Sequence, residues 1–274
     1  MSLPFLLEIG TEEIPDWMIV PALNNLQDMF QVLLDEQALG GRVTSVDATP
    51  RRLVLQADGL LTRQVDVEEL VMGPATKAGA GAAAGFAKKM GTTPDRLGTE
   101  VTAKGEYFAF KKRTQGQPTG AILARELPNL ILKIQWPKTM VWNGKGTERF
   151  IRPIRWLVAL LGDEVVPFEI GGVRTDKVTR GRRGLPPVTV TIANFSQQLR
   201  ANGVILSADE RRERIEAGIK ALLVNRNLEV KADPDLIHTL TYITEFPTPI
   251  LVSFDPSYLS HPQEVLVEVM RQHQ

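Results

Sequence analysis

Arg149-Phe-Ile-Arg152-Pro153-Ile-Arg155-Trp156 runs into Leu157-Val-Ala-Leu-Leu161, turns at Gly162-Asp163 and returns as Val165-Val-Pro-Phe-Glu-Ile170. The apolar run can only be buried, and it reads as a strand. Arginines crowd both of its ends, and Thr179-Arg180-Gly181-Arg182-Arg183 closes the stretch. A buried strand with arginines at its ends presents guanidinium groups to an anion. The planar fork of arginine donates paired hydrogen bonds to carboxylate or phosphate.

Outward from this stretch, bulk properties set limits. A chain of 274 residues buries a real core, as one large domain or two smaller ones. Its formal net charge is zero, so no global field draws it to nucleic acid or to an anionic membrane, and polyanion binding has to come from local patches. Cysteine is absent, which excludes disulfides and thiolate metal sites and suits a reducing compartment. No apolar run approaches a membrane span, and Met1-Ser-Leu-Pro-Phe-Leu-Leu-Glu8 lacks the pattern of a signal peptide. A cytoplasmic protein with no membrane partner is expected.

Taken in order, Leu3 to Ile9 reads as a buried strand. Pro15 opens a helix to about Glu36, with Ile19, Leu23, Leu26, Phe30 and Leu33 on one face and Gly40-Gly41 stopping it. Arg42–Ala48 and Leu53–Ala57 read as antiparallel strands around Thr49-Pro50-Arg51-Arg52, and Gln64–Met72 as another strand. Ala75 to Ala87, rich in glycine and alanine, is expected to be a mobile loop, with a short helix around Gly85–Lys89. Glu100–Ala103 and Tyr107–Lys112 form a hairpin. Thr119–Lys133 is a helix with a break expected at Pro128, and Trp136 to Trp142-Asn143-Gly144 leads into the central stretch. Beyond Arg183, Val188–Ile192 reads as a strand. Ser207 and Glu210 have the spacing of a capping box for a helix to about Asn225, whose charged face Glu210–Arg214 reads as solvated. Asp233–Thr244 is a helix, Phe246–Phe254 a strand or extended edge segment, and a last helix runs from Ser260 to Gln274. The whole is an α+β fold, largely antiparallel sheet with flanking helices. Residues 1–184 form the body, and residues 185–274, after Pro186-Pro187, form a helix-rich continuation.

Several catalytic chemistries find little support. Gly79-x-Gly81-x-x-x-Gly85 has the wrong spacing for a dinucleotide loop, and no P-loop occurs. His238, His261 and His273 are too dispersed for a metal site, so no metal ligands are assigned. No Gly-x-Ser-x-Gly elbow is present. Glu12 and Glu13 admit an acid/base pair or a helix cap. The cap is favoured, because neighbours on an extended chain point apart. Trp142 and Trp156 read as core residues. The arginines carry most weight: Arg51 and Arg52, then Arg149, Arg152 and Arg155, then Arg180, Arg182 and Arg183. For Arg149 and Arg155 internal pairing and anion binding stand equal. Arg180, Arg182 and Arg183 have no acid between them, and repel one another unless an anion or partner neutralises them.

These motifs coincide with a known family. Leu6-Leu-Glu-Ile-Gly-Thr-Glu-Glu-Ile-Pro15 resembles the opening of the bacterial glycyl-tRNA synthetase beta subunit. In that family's order follow Ala48-Thr-Pro-Arg-Arg-Leu53, Gly73-Pro74 with Gly85-Phe-Ala87, Lys104-Gly-Glu-Tyr107, Phe150 to Leu161, Thr179-Arg-Gly181, and Pro262 to Gln274. The family usually reads Thr-Arg-Gly-His-Arg-Phe where this chain has Thr179-Arg-Gly-Arg-Arg-Gly184, so Arg182 stands for a histidine and Gly184 for an aromatic. The resemblance covers the amino-terminal part of the family's subunit, so the chain is read as truncated at its carboxyl end.

The resemblance implies a subunit of a two-subunit glycine–tRNA ligase, in a tetramer of two alpha and two beta subunits. It implies a fold similar to the tRNA-binding module of the phenylalanyl-tRNA synthetase beta subunit. ATP and magnesium are expected on the alpha subunit, and no cofactor on this chain. The arginines above would hold the acceptor arm of the glycine tRNA or dock on alpha. Two other classes stand beside this reading: a purely structural scaffold for assembly, and a free-standing enzyme using Glu12 or Glu13.

Overall fold

The computed structural model describes residues 2–142 and 148–272; Asn143, Gly144, His273 and Gln274, which figure in the expectations above, lie outside them. The chain packs as two units, Met1–Thr62 with Gly120–Gln274, and Arg63–Thr119. These junctions are different from the change of composition expected at 184/185, which remains a proposal.

The first unit opens with β1 (Ser2–Thr11), α1 (Asp16–Glu36), β2 (Gly40–Thr49) and β3 (Arg52–Leu61). The five residues expected on the inner face of α1 are all buried. The helix ends before Gly40-Gly41, which instead start β2 with φ of 66° and 78°. The second unit carries β4 (Val67–Ala75), α2 (Gly79–Met90), β5 (Gly98–Thr102) and β6 (Gly105–Thr114), with strand order β4-β6-β5. Most of the expected mobile loop is therefore helix. Alanine is the best helix former and offsets the glycines, and α2 buries Ala83, Phe86 and Ala87. Gly73 on β4 receives the Phe86 ring, which lies 2.6 Å from where a Cβ would stand.

Back in the first unit come α3 (Thr119–Leu132), β7 (Met140–Val141), β8 (Arg149–Phe150) and β9 (Ile154–Leu161), then β10 (Glu164–Val165), β11 (Glu169–Ile170) and β12 (Val173–Asp176). Helix α3 passes through Pro128 without the expected break. Burial of Ile122, Leu123, Leu127, Leu130 and Ile131 outweighs one lost backbone bond. The return after β9 is two short strands rather than one. Next are β13 (Val178–Thr179), β14 (Val188–Thr189) and α4 (Phe195–Ala201), a helix not anticipated. Helices α5 (Ala208–Leu223), α6 (Pro234–Ile243) and α7 (Gln263–Gln272) complete the chain. Ser207 caps α5, accepting from the Glu210 N–H at 3.3 Å, as the capping box predicts. Among the described residues, Phe246–Phe254 forms no strand.

The main sheet has the order β11-β12-β9-β1-β3-β2, with β10 also on β9. Its pairs are antiparallel except β12 with β9. Central β1 is covered on both faces. Phe5, Leu7 and Ile9 join the core made with α1 and α3, while Leu6 joins Val54, Trp156, Val158, Phe195 and Leu199 on the opposite face. The buried apolar run is thus the strand β9 beside the middle of the sheet. Mixed α+β architecture with mostly antiparallel sheets is what the patterning implied. Among the described residues no helix is long and apolar enough to cross a membrane.

Candidate functional site

Glu8 lies in the middle of β1, opposite Val54 and Val158, on the face that carries Leu6 and Trp156. Gly10, two residues on, pairs with Arg52 on one side and Trp156 on the other. The indole occupies the space a side chain would need: a Cβ on Gly10 would stand 2.0 Å from two of its ring carbons. Gly10 is therefore the position that lets a tryptophan lie flat beside an arginine inside the sheet.

Arg52 is fully buried. Its Nη1 donates to Glu8 Oε1 at 2.8 Å, and its Nη2 to Glu245 Oε1 at 3.1 Å and to the Arg180 carbonyl at 2.8 Å. Its Nε donates to Thr49 Oγ1 at 3.2 Å. Thr49 in turn donates to Glu245, and Thr179 donates to Glu8 at 2.9 Å. Burial holds the Glu8 carboxyl above its ordinary range, opposed by the Arg52 charge, by Thr179 and by the Trp156 indole. This group ties β1, β3, the Thr179–Arg180 segment and the chain after α6 into one knot. Arg52, expected to meet RNA or a partner subunit, is committed inward. The reason is Glu8, a charge inside an otherwise apolar strand, which has to be paired.

Around that knot the other arginines are arranged near the surface. The guanidinium carbons of Arg51, Arg52 and Arg180 lie 5.6, 5.3 and 5.8 Å from the Trp156 ring centre. Each contact is worth roughly 0.5–2 kcal/mol depending on desolvation. Trp156 is core, as expected, and is also the platform for three cations. Arg51 reaches Glu245 Oε2 at 3.5 Å. Arg180 and Arg182 are exposed, and among the described residues neither guanidinium has a carboxylate partner. Gly181 between them packs against Asn202, whose carbonyl would lie 2.6 Å from an added Cβ and accepts the Arg182 N–H at 2.8 Å.

Arg183 is held by Glu12 Oε2 at 3.1 Å and Glu13 Oε1 at 2.6 Å, and Arg155 by Glu12 Oε1 at 3.1 Å. Arg152 donates to the Glu13 carbonyl at 2.8 Å. Glu12 and Glu13 thus act neither as a helix cap, since α1 starts at Asp16 with no side-chain cap bond, nor as a free acid/base pair. Arg149 lies apart from these and binds Thr139 through its side chain and carbonyl.

Arg51, Arg182 and Arg183 line an open cleft of ≈ 600 Å³ together with Glu13, Glu245, Phe246 and Thr248. Three arginines meet two acids there, and both acids are already engaged by arginines. Ordered water or a phosphate oxygen fits the unfilled donors; a nucleophile with an adjacent base is not among the lining residues. Among the described residues no group of three histidine or acidic side chains is placed to hold a metal.

Sequence reasoning missed Glu8 and Glu245, which organise the knot. A glutamate within Phe5-Leu-Leu-Glu-Ile9 was the available signal for the first. It also missed Arg211, placed on a solvated face but fully buried on α5. Arg211 donates to the carbonyls of Ala48, Ile205, Leu206 and Thr241 at 2.7–2.8 Å, and burial lowers its pKa. It fastens α5 and α6 to the end of β2.

Fold and cleft together define a mixed α+β module whose prominent surface feature is a group of arginines braced by an internal ion-pair network. The chain belongs to the glycyl-tRNA synthetase beta subunit family, whose model matches residues 5–274. It is 37% identical over 284 residues to the glycine–tRNA ligase beta subunit of Moorella thermoacetica, covering 100% of this chain and 41% of the relative. To the beta subunits of Shouchella clausii and Clostridioides difficile it is 37% and 35% identical, covering 100% and 98% of this chain and 40% of each relative. The chain thus spans about two fifths of the length of the curated relatives it matches.

Proposed function

We propose that this chain serves a two-subunit glycine–tRNA ligase as an accessory module. It holds the acceptor arm of the glycine tRNA and docks on the alpha subunit, within a cytoplasmic tetramer of two alpha and two beta subunits. ATP, magnesium and glycine belong to the alpha subunit in this reading, and the module is of the kind that binds tRNA in the phenylalanyl-tRNA synthetase beta subunit. The observation that carries the reading is the cleft of Arg51, Arg182 and Arg183, with Arg180 exposed over Trp156 beside it. Cations on a rigid base suit phosphate, which positions an RNA without reading its sequence.

Docking draws support from a separate feature. Ile250, Val252, Phe254, Tyr258, Leu259, Val265 and Val269 are all more than half exposed or nearly so, a density of apolar surface that fits a partner interface. A free-standing enzyme using Glu12 or Glu13 loses its support, because Arg183 engages both carboxylates.

The test is replacement of Arg180, Arg182 and Arg183 by alanine in the full complex. Weakened tRNA binding with intact assembly supports the reading. Unchanged tRNA affinity and unchanged alpha–beta assembly reject the assignment of these residues, and weakened assembly alone moves them to the docking surface.

A further inference from the structure

A second cavity, of ≈ 260 Å³, lies in the first unit and is lined by residues of the α3 end, the β8–β9 segment and the β11–β12 turn. Its walls are mostly apolar: Leu132, Phe150, Ile154, Ile170 and Val173, with Trp142 alongside. Two charged side chains reach it, Glu148 and Arg155. The Glu148 Oε2 is shielded from solvent and, among the described residues, has no hydrogen-bond partner. Arg155 is held to Glu12 through Nε, its side chain is 55% exposed, and among the described residues its two terminal nitrogens have no protein partner. An orphaned carboxylate oxygen in a cavity calls for a donor that is missing, and the Arg155 terminal donors at its mouth, open to solvent, can exchange water for a carboxylate in paired hydrogen bonds.

We infer that this cavity binds a free α-amino acid with an apolar side chain. Its ammonium group meets Glu148 beside the rings of Trp142 and Phe150, its carboxylate meets Arg155, and its side chain lies against Ile154, Ile170 and Val173. A lone cation would leave the guanidinium unused, and a lone carboxylate would leave Glu148 orphaned. A zwitterion satisfies both, and the aromatic walls favour an ammonium over water. Glycine would leave the apolar part of the cavity empty, so a larger residue binds better. The site is distinct from the arginine cleft: of the residues lining the two, none is shared.

The test is calorimetric titration of the whole chain with leucine, with three comparison ligands: glycine, isoamylamine (leucine without its carboxylate) and 4-methylpentanoic acid (leucine without its ammonium). The expected result is saturable binding of leucine, and affinity at least about tenfold weaker for each of the other three. Glu148→Gln, which keeps the shape and removes the charge, is expected to weaken leucine binding by a similar factor. Absence of saturable leucine binding, equal binding of glycine, or Glu148→Gln binding leucine as the parent does would each overturn the inference. The ligand comparisons are made on the parent protein, so they decide even if the variant folds poorly. None of these outcomes bears on tRNA binding at the cleft.

Discussion

Replacing Arg52 by leucine removes the centre of the internal network while keeping bulk. Glu8 then stays fully buried without its counter-charge, and Glu245 loses one of its two arginines. Removing one partner of a buried pair costs about 3–5 kcal/mol. The Arg180 carbonyl and Thr49 Oγ1 also lose a donor, nominally about 1 kcal/mol each, but terms within one network do not add. A loss of about 4 kcal/mol is therefore expected, a large part of the ~5–15 kcal/mol available to a folded domain. Urea unfolding followed by circular dichroism reads this as a lowered midpoint.

The sign of the pH response is fixed by Glu8. Its folded pKa is raised, so its stabilising contribution is complete below the ordinary value of 4.5 and is lost as pH rises through the raised one. Without Arg52 the carboxyl rises further, so the variant should recover part of its deficit on mild acidification relative to the parent. Glu8→Gln together with Arg52→Leu should cost less than Arg52→Leu alone. A loss below about 1 kcal/mol, or a deficit indifferent to pH, would refute the argument that the buried charge governs this region.

Other outcomes follow from the same geometry. Gly10→Ala places a methyl 2.0 Å from the Trp156 ring and should cost roughly 1–3 kcal/mol or more, with a changed tryptophan fluorescence spectrum reporting the displaced indole. Pro128→Ala restores a backbone donor inside α3 and should stabilise the chain by up to about 3 kcal/mol, read as a raised urea midpoint. Ser207→Ala removes the cap of α5 and should cost about 1 kcal/mol in the same assay.

Much of the architecture was legible because it depends on local pattern. The periodicity of α1, the capping box at Ser207 and Glu210, and the turn between β2 and β3 are each set by residues close in sequence. What stayed hidden depends on long-range register. Arg51-Arg52 reads as a surface pair, yet pleating sends Arg52 inward to Glu8 on β1 while Arg51 stays near the surface. Glu245 meets Arg52 across 193 positions, a contact no motif marks. Arg211 sits in a run of charges, but two of its four carbonyl partners, Ala48 and Thr241, belong to segments outside its own helix approach, so only the packing of α5 on β2 and α6 reveals its burial. In α2 and α3 the glycines and the proline suggested a loop and a break, and the buried faces of those helices decided otherwise. Arg180 and Arg182 are the part of the site that sequence placed at the surface and the structure also leaves there.

The central claim is that arginines supported by Trp156 and the Arg52 knot face a polyanion. Its most direct test is the salt dependence of glycine-tRNA binding by the complete subunit assembly, parent against Arg180→Ala/Arg182→Ala. Each lost phosphate contact should lower the slope of log affinity against log salt by about 0.7–0.9, so the double variant should fall by about 1.5 with weaker binding at low salt. An unchanged slope and unchanged affinity would contradict the account.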